Sequence, residues 1–164
     1  MAQALKQKEY PPNVLLIQGS FVHQSAIDRT GGFLDVGRKR GLNITEVQGE
    51  WKKDRAQELT ATHFSRRDPE YGGIFANNDD MALGAVNAIQ NLGEMYAKKW
   101  PIIIGFDATK VALDAIGKGE MHATLEQEAK KMGYEGVMAA VKALKNDSSL
   151  KEENWLEVNL VPPR

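Results

Sequence analysis

The sequence contains no cysteine, and this absence removes several classes of chemistry at once. Without thiols the chain cannot carry a cysteine nucleophile, a disulfide framework or a thiolate-bound metal. The three histidines, His23, His63 and His122, lack the close spacing that zinc-binding motifs use. We therefore predict no metal centre.

Phosphate-cradling and hydrolase motifs are absent as well. The chain has no G-x-G-x-x-G, no G-x-x-x-x-G-K-[ST] and no G-x-S-x-G sequence. The adjacent carboxylates of Asp79 and Asp80 could act as an acid and a base, but no nucleophile or phosphate loop accompanies them. These gaps argue against an enzyme and predict that the chain uses no cofactor.

Long blocks of one charge and long apolar runs are missing too. The 21 basic and 22 acidic residues nearly cancel, which argues against nucleic acid as a partner because such partners usually require a basic surface. No apolar run approaches the roughly 18 residues of a membrane helix, and the amino terminus lacks the apolar core of a signal peptide. We expect no membrane insertion, and a chain that is either cytosolic or has had a signal removed.

What the sequence does contain is an alternation of strand and helix patterns. Continuous apolar runs such as Val14-Leu-Leu-Ile17 suit strands buried on both faces, and the segments between them have helical spacing. The predicted strands are 14–17, 43–47, 74–76, 101–107 and 155–161, and the predicted helices are 2–8, 25–40, 55–66, 79–93, 110–117 and 128–145. Such alternation predicts an α/β fold: a three-layer, open, mainly parallel sheet with helices on both faces.

The carboxyl ends of parallel strands meet at one edge of a sheet, where open α/β folds bind ligands. Residues that follow the predicted strands would share this edge: 20–29, Trp51, 77–80, Asp107 and Gln127. Planar Arg, Asn, Asp and Gln groups can bind adjacent hydroxyls, and an indole packs on the apolar face of a sugar ring. The edge therefore suits a polyhydroxylated ligand.

Each of these residues also has an interpretation without a ligand. Asn78 and Asp79 are good amino-terminal caps for the helix that follows them, and Asp107 can close a turn. Trp51 can be a partly buried packing residue, and Arg29 a solvated surface charge.

Three motifs make a specific resemblance. They are Asn77-Asn-Asp-Asp-Met-Ala-Leu-Gly-Ala85, Ile103-Ile-Gly-Phe-Asp107, and Ala115-Ile-Gly-Lys-Gly-Glu-Met-His-Ala-Thr124 followed by Gln127. In this order and spacing they resemble the type I periplasmic sugar-binding proteins, closest to the ribose-binding type. The resemblance covers essentially the whole chain, which matches only the carboxyl-terminal one of that family's two lobes.

The resemblance implies a set of sugar-binding residues. That lobe contributes an arginine, an aromatic residue, an asparagine, an aspartate and a hinge glutamine to the sugar, and the matching positions here are Arg29, Trp51, Asn78, Asp107 and Gln127. One departure is Ala108, where the family commonly has glycine.

The resemblance also implies an organisation and partners. Residues 1–125 would form the core βα units, 126–150 a hinge segment and crossover helix, and 151–164 the final strand. Helix 128–145 would normally pack on the amino-terminal lobe, so we expect it to dock on its own lobe, to exchange with a second chain as a homodimer, or to be poorly ordered. The implied location is periplasmic or secreted, and the implied partner is an ABC transporter permease or a chemoreceptor.

Three classes of function follow. The leading hypothesis is capture of a sugar or polyol by one lobe of a solute-binding protein. The alternative is the effector-binding core of a LacI-type transcription regulator or sensor, although no helix-turn-helix segment is present. The third is an enzyme on a flavodoxin-like sheet, which no motif supports.

Overall fold

A computed structural model describes residues 1–66, 69–149 and 157–162 of the chain. The helices are α1 (Ala2–Gln7), α2 (Gln24–Lys39), α3 (Lys53–Phe64), α4 (Asp79–Asn91), α5 (Glu94–Ala97), α6 (Lys110–Gly117) and α7 (Ala129–Leu144). The strands are β1 (Asn13–Gln18), β2 (Asn43–Gln48), β3 (Gly73–Ala76), β4 (Ile102–Ile104), β5 (Thr124–Glu126) and β6 (Asn159–Val161).

The first four strands form a parallel sheet in the order β2-β1-β3-β4. Val14 of β1 lies opposite Ile44 on one side and Gly73 on the other, and β3 pairs in parallel with β4. Helices connect these strands because parallel neighbours need a crossover. A parallel bridge between Ile104 and Ala123 leads to β5, which pairs antiparallel with β6. The predicted α/β class is confirmed.

Both faces of the sheet are covered, which explains the continuous apolar strands. Leu15, Ile17 and Ile103 lie in the core shared with α3, α4 and α6. Val14 and Ile102 point to the other face, where they meet Leu5 of α1 and Phe33 of α2. Alternate side chains of one strand therefore enter different cores, as period-2 geometry requires.

Element boundaries differ from the prediction in three places. The strand predicted for 101–107 ends at Ile104, because Asp107 and Ala108 turn the chain with φ angles of 116° and 52°. Helix α5 was not predicted, and it begins after Gly93, whose φ is 59°. Within the described part of the predicted last strand, only Asn159–Val161 pairs, and 155–156 lie outside the described residues.

Helix α7 matches the predicted helix 128–145 but does not dock on its own lobe. None of its residues is buried, and its exposed apolar side chains include Tyr134, Val137, Val141 and Leu144. The expectation that α7 docks on its own lobe is therefore wrong, because other helices already cover the faces of the sheet. Neither α7 nor any other helix in the described ranges is long and apolar enough to cross a membrane.

Helices α3 and α4 approach each other closely at Gly84. A Cβ added there would lie 2.2 Å from the Lys53 carbonyl oxygen and 3.2 Å from the Ala56 Cβ. We expect Gly84→Ala to lower the free energy of unfolding by about 2 to 3 kcal/mol, since a backbone carbonyl cannot yield cheaply.

The matched control for this substitution is Gly31→Ala in α2, where an added Cβ has no neighbour within 4 Å. It should raise the free energy of unfolding by up to about 1 kcal/mol through helix propensity. Chemical denaturation of both variants measures the difference, and equal effects would contradict the packing assigned to Gly84.

Candidate functional site

The carboxyl ends of the strands and the second turn of α2 place a group of polar and aromatic residues along one edge of the sheet, here called the rim. The rim consists of Gly19, Arg29, Trp51, Asn77, Asn78, Phe106, Asp107 and Gln127. Backbone pairing fixes its shape. The Asn77 N–H donates to the Ile17 carbonyl over 2.9 Å, and the Asp107 N–H donates to the Leu125 carbonyl over 2.8 Å. The rim is therefore an extension of the sheet.

Arg29, at the second turn of α2, is the centre of the rim. Its Nη1 donates to the Asn77 carbonyl over 2.6 Å, and its Nη2 donates to Gln127 Oε1 over 3.2 Å and lies 3.4 Å from Asp107 Oδ1. The side chain is only 13% exposed, so the interpretation as a solvated surface charge is wrong. Burial lowers the Arg29 pKa, while the charge of Asp107 opposes this shift.

Aromatic rings surround the guanidinium group. Its carbon lies 3.8 Å from the centroid of the Phe106 ring and 5.9 Å from that of Trp51. Both separations are within the range of cation–π attraction, which is stronger for a partly desolvated cation. The contact with Phe106 was not predicted, although an aromatic residue directly before the strand-end aspartate was a usable signal.

Asp107 and Gln127 form the far side of the rim. Gln127 Nε2 donates to Asp107 Oδ1 over 2.6 Å, so the amide bridges the arginine and the aspartate. Burial raises the Asp107 pKa, and the Arg29 charge opposes that rise. The structure thus brings together three of the five predicted residues through direct contacts.

Trp51 reaches the rim through an unusual backbone. Its φ of 64° and that of Glu50, 54°, lie in the left-handed region, which bulky residues rarely occupy. The turn lays the half-buried indole over Gly19, and Nε1 donates to His23 Nδ1 over 3.2 Å. Contacts within the chain therefore explain part of the indole's position, which agrees with the interpretation of Trp51 as a partly buried packing residue.

Asn78 serves as the amino-terminal cap of α4. Its φ and ψ are extended, at −148° and 170°, and its Oδ1 accepts from the Met81 N–H over 3.0 Å. The interpretation as a cap is confirmed. It leaves the Nδ2 group unused by any residue in the described parts of the chain.

Asn77 is a residue that sequence reasoning placed on the rim but did not single out. Its side chain is fully buried, and its Oδ1 accepts from the Gly19 N–H over 2.9 Å and from Thr30 Oγ1 over 3.0 Å. Because its carbonyl also binds Arg29, Asn77 ties the loop after β1 and helix α2 to the end of β3. Nδ2 of Asn77 is buried and has no partner among the described residues.

Asp79 supports the rim from below. The carboxylate is fully buried, and it accepts from the Thr109 N–H over 2.7 Å, from Thr109 Oγ1 over 3.0 Å and from Thr124 Oγ1 over 2.6 Å. Burial raises the Asp79 pKa, and these hydrogen bonds oppose the rise. Asp79 joins the turns after β3 and β4 to β5, so its role is structural.

A cavity of about 800 Å³ opens beside Asp107 and Gln127, and Lys131 and Tyr134 of α7 line its opposite side. This volume lies within the range of small-molecule sites, roughly 300 to 1,000 Å³. In the described ranges, no three carboxylate or imidazole side chains group as they do around a metal ion. The rim offers hydrogen-bond donors and acceptors beside aromatic surface.

The position of Trp51 depends on the absence of a side chain at Gly19. A Cβ at Gly19 would lie 2.2 Å from Trp51 Cζ2, so we expect Gly19→Ala to push the indole away from residue 19. The indole N–H donates to His23, so its NMR chemical shift should change when the indole is displaced. Gly32→Ala, with no neighbour within 4 Å, is the control, and an unmoved resonance in Gly19→Ala would contradict the contact.

Comparison with known proteins agrees with this architecture. Residues 1–148 match the periplasmic binding protein domain. Over 150 residues the chain is 27% identical to the D-ribose/D-allose-binding protein of Pseudomonas aeruginosa, an alignment that covers 91% of this chain and 46% of that protein. Over 113 residues it is 37% identical to the ribose import binding protein of Haemophilus influenzae, covering 69% of this chain and 32% of that protein.

A solved structure gives the same result. The Caulobacter myo-inositol binding protein bound to myo-inositol superposes with a TM-score of 0.84 at 32% identity, covering 98% of this chain and 55% of that one. The chain spans about a third to a half of the length of the sequence relatives it matches. Since the domain match extends over most of the chain, and the relatives are sugar-binding proteins as the motifs predicted, the chain belongs to the periplasmic binding protein domain family.

Proposed function

We propose that this chain is a sugar-binding lobe of a solute-binding protein that serves an ABC transporter or a chemoreceptor. Its ligand is a monosaccharide or similar polyol, held by Arg29, Trp51, Asn78, Asp107 and Gln127. The observation that carries the proposal is the hydrogen-bonded group of arginine, aspartate and glutamine beside two aromatic rings. Relatives named for D-ribose, D-allose and myo-inositol support the ligand class.

The chemistry of the rim supports a neutral polyol. A guanidinium and a carboxylate 3.4 Å apart offer a donor and an acceptor to two neighbouring hydroxyls. The two groups neutralise each other, so a ligand need not bring a charge. The aromatic surface suits the C–H face of a sugar ring.

Binding by this chain alone should be weak. We propose that a second lobe encloses the ligand and that the closed state is favoured because both lobes contact the ligand only there. A single lobe lacks the enclosure and about half of the contacts, so we expect a dissociation constant on the order of 1 mM or weaker, which corresponds to about 4 kcal/mol.

The uncovered face of α7 supports a second lobe as a partner. Tyr134, Val137, Val141 and Leu144 follow one another at helical spacing and are all exposed. Such a stripe normally packs on another surface. A homodimer through residues 128–145 is the alternative, and sedimentation would report it as a species of twice the 18.2 kDa chain mass. A monomer at all concentrations would contradict the homodimer.

We propose a periplasmic or secreted location and no catalytic activity, because the relatives are named as binding proteins. The same names make the effector-binding core of a transcription regulator or sensor the less favoured alternative.

Isothermal titration calorimetry tests the function. The chain is titrated with D-ribose, D-allose, myo-inositol and deoxysugars, and the titrations are repeated with Asn78→Ala and Asp107→Ala. We expect weak, selective heat for at least one polyol, lowered at least tenfold in affinity by either substitution. Equal binding by wild type and both variants would contradict the assignment of the rim.

A further inference from the structure

Trp51 adopts a backbone conformation that a tryptophan disfavours. Trp51 and the preceding Glu50 both have positive φ angles, of 64° and 54°, in a region where the following carbonyl oxygen crowds a β-carbon. Residues in such conformations persist where the surrounding structure holds them. Contacts outside the turn must therefore keep the indole in the rim.

His23 supplies one of these contacts. Its Nδ1 accepts from the Trp51 indole N–H over 3.2 Å. The two ring planes meet at 72° with their centroids 6.1 Å apart, so the imidazole does not lie flat on the indole. His23 therefore anchors the nitrogen edge of the indole.

The protonation state of His23 decides whether this hydrogen bond can form. An indole N–H is a donor only, so Nδ1 must offer a lone pair, and the neutral ring must carry its proton on Nε2. The imidazolium cation carries a hydrogen on both nitrogens. Two N–H groups would then face each other, so protonation of His23 breaks the contact with Trp51.

Within the described parts of the chain, the side chain of His23 serves no other element. His23 immediately precedes α2, but its side chain makes no capping hydrogen bond and is exposed to solvent. The hydrogen bond and the ring contact of this side chain are both made with Trp51. Holding the indole is therefore what the imidazole contributes at this position.

The elements that meet at this contact also carry charged groups. The first two turns of α2 and the turn 49–52 contribute Asp28, Arg29, Glu50 and Lys52. The Glu50 carboxylate lies 3.5 Å from the Lys52 ammonium group, and the Arg29 guanidinium carbon lies 5.9 Å from the centroid of the Trp51 ring. Carboxyl, ammonium and guanidinium groups ordinarily titrate outside the range of about pH 5 to 8, whereas imidazole titrates within it. A response of Trp51 to pH in this range therefore indicates His23.

We propose that His23 is a positioning residue of the sugar site, and that its neutral imidazole holds the Trp51 indole in the position that the ligand contacts. This inference rests on the proposed function. When the contact is lost, the indole occupies this position for a smaller fraction of the time, and the affinity falls in proportion to that fraction. Because binding favours neutral His23, the affinity is highest above the titration range of imidazole and decreases as the pH falls through it.

The contact is tested first without a ligand. We expect the NMR chemical shift of the Trp51 indole N–H to change between about pH 7.5 and about pH 5.5. The Trp100 indole N–H, which donates to the Glu120 carbonyl over 2.9 Å, should not change and is the internal control. His23→Asn replaces Nδ1 by an amide oxygen that accepts at every pH in this range, so the Trp51 chemical shift should then be independent of pH.

The affinity is tested by NMR titration at the same two pH values, with whichever of D-ribose, D-allose and myo-inositol binds most tightly. We expect the wild-type affinity to be about two- to tenfold lower at the lower pH, as for the loss of one hydrogen bond. His23→Asn should have the same affinity at both pH values. His23→Ala should be weakened by a similar factor at both, because it has no acceptor for the indole.

The outcomes separate this inference from the proposed function. No binding of any of the three probes at about pH 7.5 would overturn the proposed function, and this inference with it. If wild type binds equally well at both pH values, or if His23→Ala binds as well as wild type at the higher pH, the inference alone is overturned. A pH dependence that persists in both variants would also overturn it, because a group other than His23 would then be titrating.

Discussion

Asp79→Ala is expected to lower the free energy of unfolding by about 3 to 4 kcal/mol. The substitution removes three hydrogen bonds to a buried carboxylate and leaves the Thr109 N–H without an acceptor beneath the rim. It also opens a cavity beside Gly105, whose added Cβ would lie 2.3 Å from Asp79 Oδ1. Chemical denaturation monitored by circular dichroism measures the loss.

Asp79→Asn is the matched control because it keeps the shape. Its oxygen can accept from Thr109, and the Thr124 hydroxyl can turn to accept from the new amide. We expect this variant to lose less than about half as much free energy as Asp79→Ala. Equal losses in the two variants would mean that the charge, rather than the hydrogen-bonded frame, supports these turns.

The two variants also differ from wild type in their response to pH. Burial raises the Asp79 pKa above its ordinary value of 3.8, so the folded state binds more protons than the unfolded state just above that pH. The contribution of Asp79 to the free energy of unfolding is therefore greatest below pH 3.8 and falls as pH rises through the raised pKa. Asp79→Asn should flatten this part of the stability profile. Part of the dependence of the free energy of unfolding on pH should remain in Asp79→Asn, because the pKa of Asp107 is also raised.

Arg29→Met is expected to abolish measurable polyol binding, a loss of at least about 100-fold, or nearly 3 kcal/mol. Methionine can still pack on the Phe106 ring, but it has no donor for the ligand, Gln127 or the Asn77 carbonyl. The Asp107 pKa should rise further, since the Arg29 charge that opposes its burial is gone. Calorimetry measures the first effect, and NMR titration of the Asp107 carboxyl carbon measures the second.

Arg29→Lys separates charge from geometry. Lysine keeps the positive charge but has no planar fork and stacks poorly on an aromatic ring. We expect the Asp107 pKa to stay close to that of wild type while polyol affinity falls at least about tenfold. Full affinity in Arg29→Lys would show that a point charge is sufficient and would contradict the role given to the fork.

The sequence predicted the structure best at positions where a residue type suits only one structural role. The buried run Val14-Leu-Leu-Ile17 predicted a strand covered on both faces, because only such a strand hides consecutive apolar side chains. Asn78 predicted a cap, and the cap forms. For the rim, strand-end position and family resemblance together identified Arg29, Asp107 and Gln127, which contact one another across 98 residues of sequence between Arg29 and Gln127.

The sequence could not reveal which residues support the rim. Asn77 and Asp79 look like their neighbours in a polar turn, and only the tertiary structure buries them fully. The end of β4 was also predicted too late. Asp107 and Ala108 adopt positive φ angles, and neither residue type predicts such a conformation. The position of α7 depends on the surface that covers its apolar side chains, and the sequence of the helix itself does not identify that surface.

NMR titration of the isotope-labelled chain tests most directly whether the rim binds a polyol. With D-ribose, D-allose or myo-inositol at up to about 50 mM, we expect the side-chain N–H resonances of Arg29, Trp51, Asn78 and Gln127 to shift along one saturation curve. Gln90, which pairs with Glu120 away from the rim, should not shift. A shift of the Gln90 resonance with unchanged rim resonances, or no shift with any of the three polyols, would contradict polyol binding at the rim.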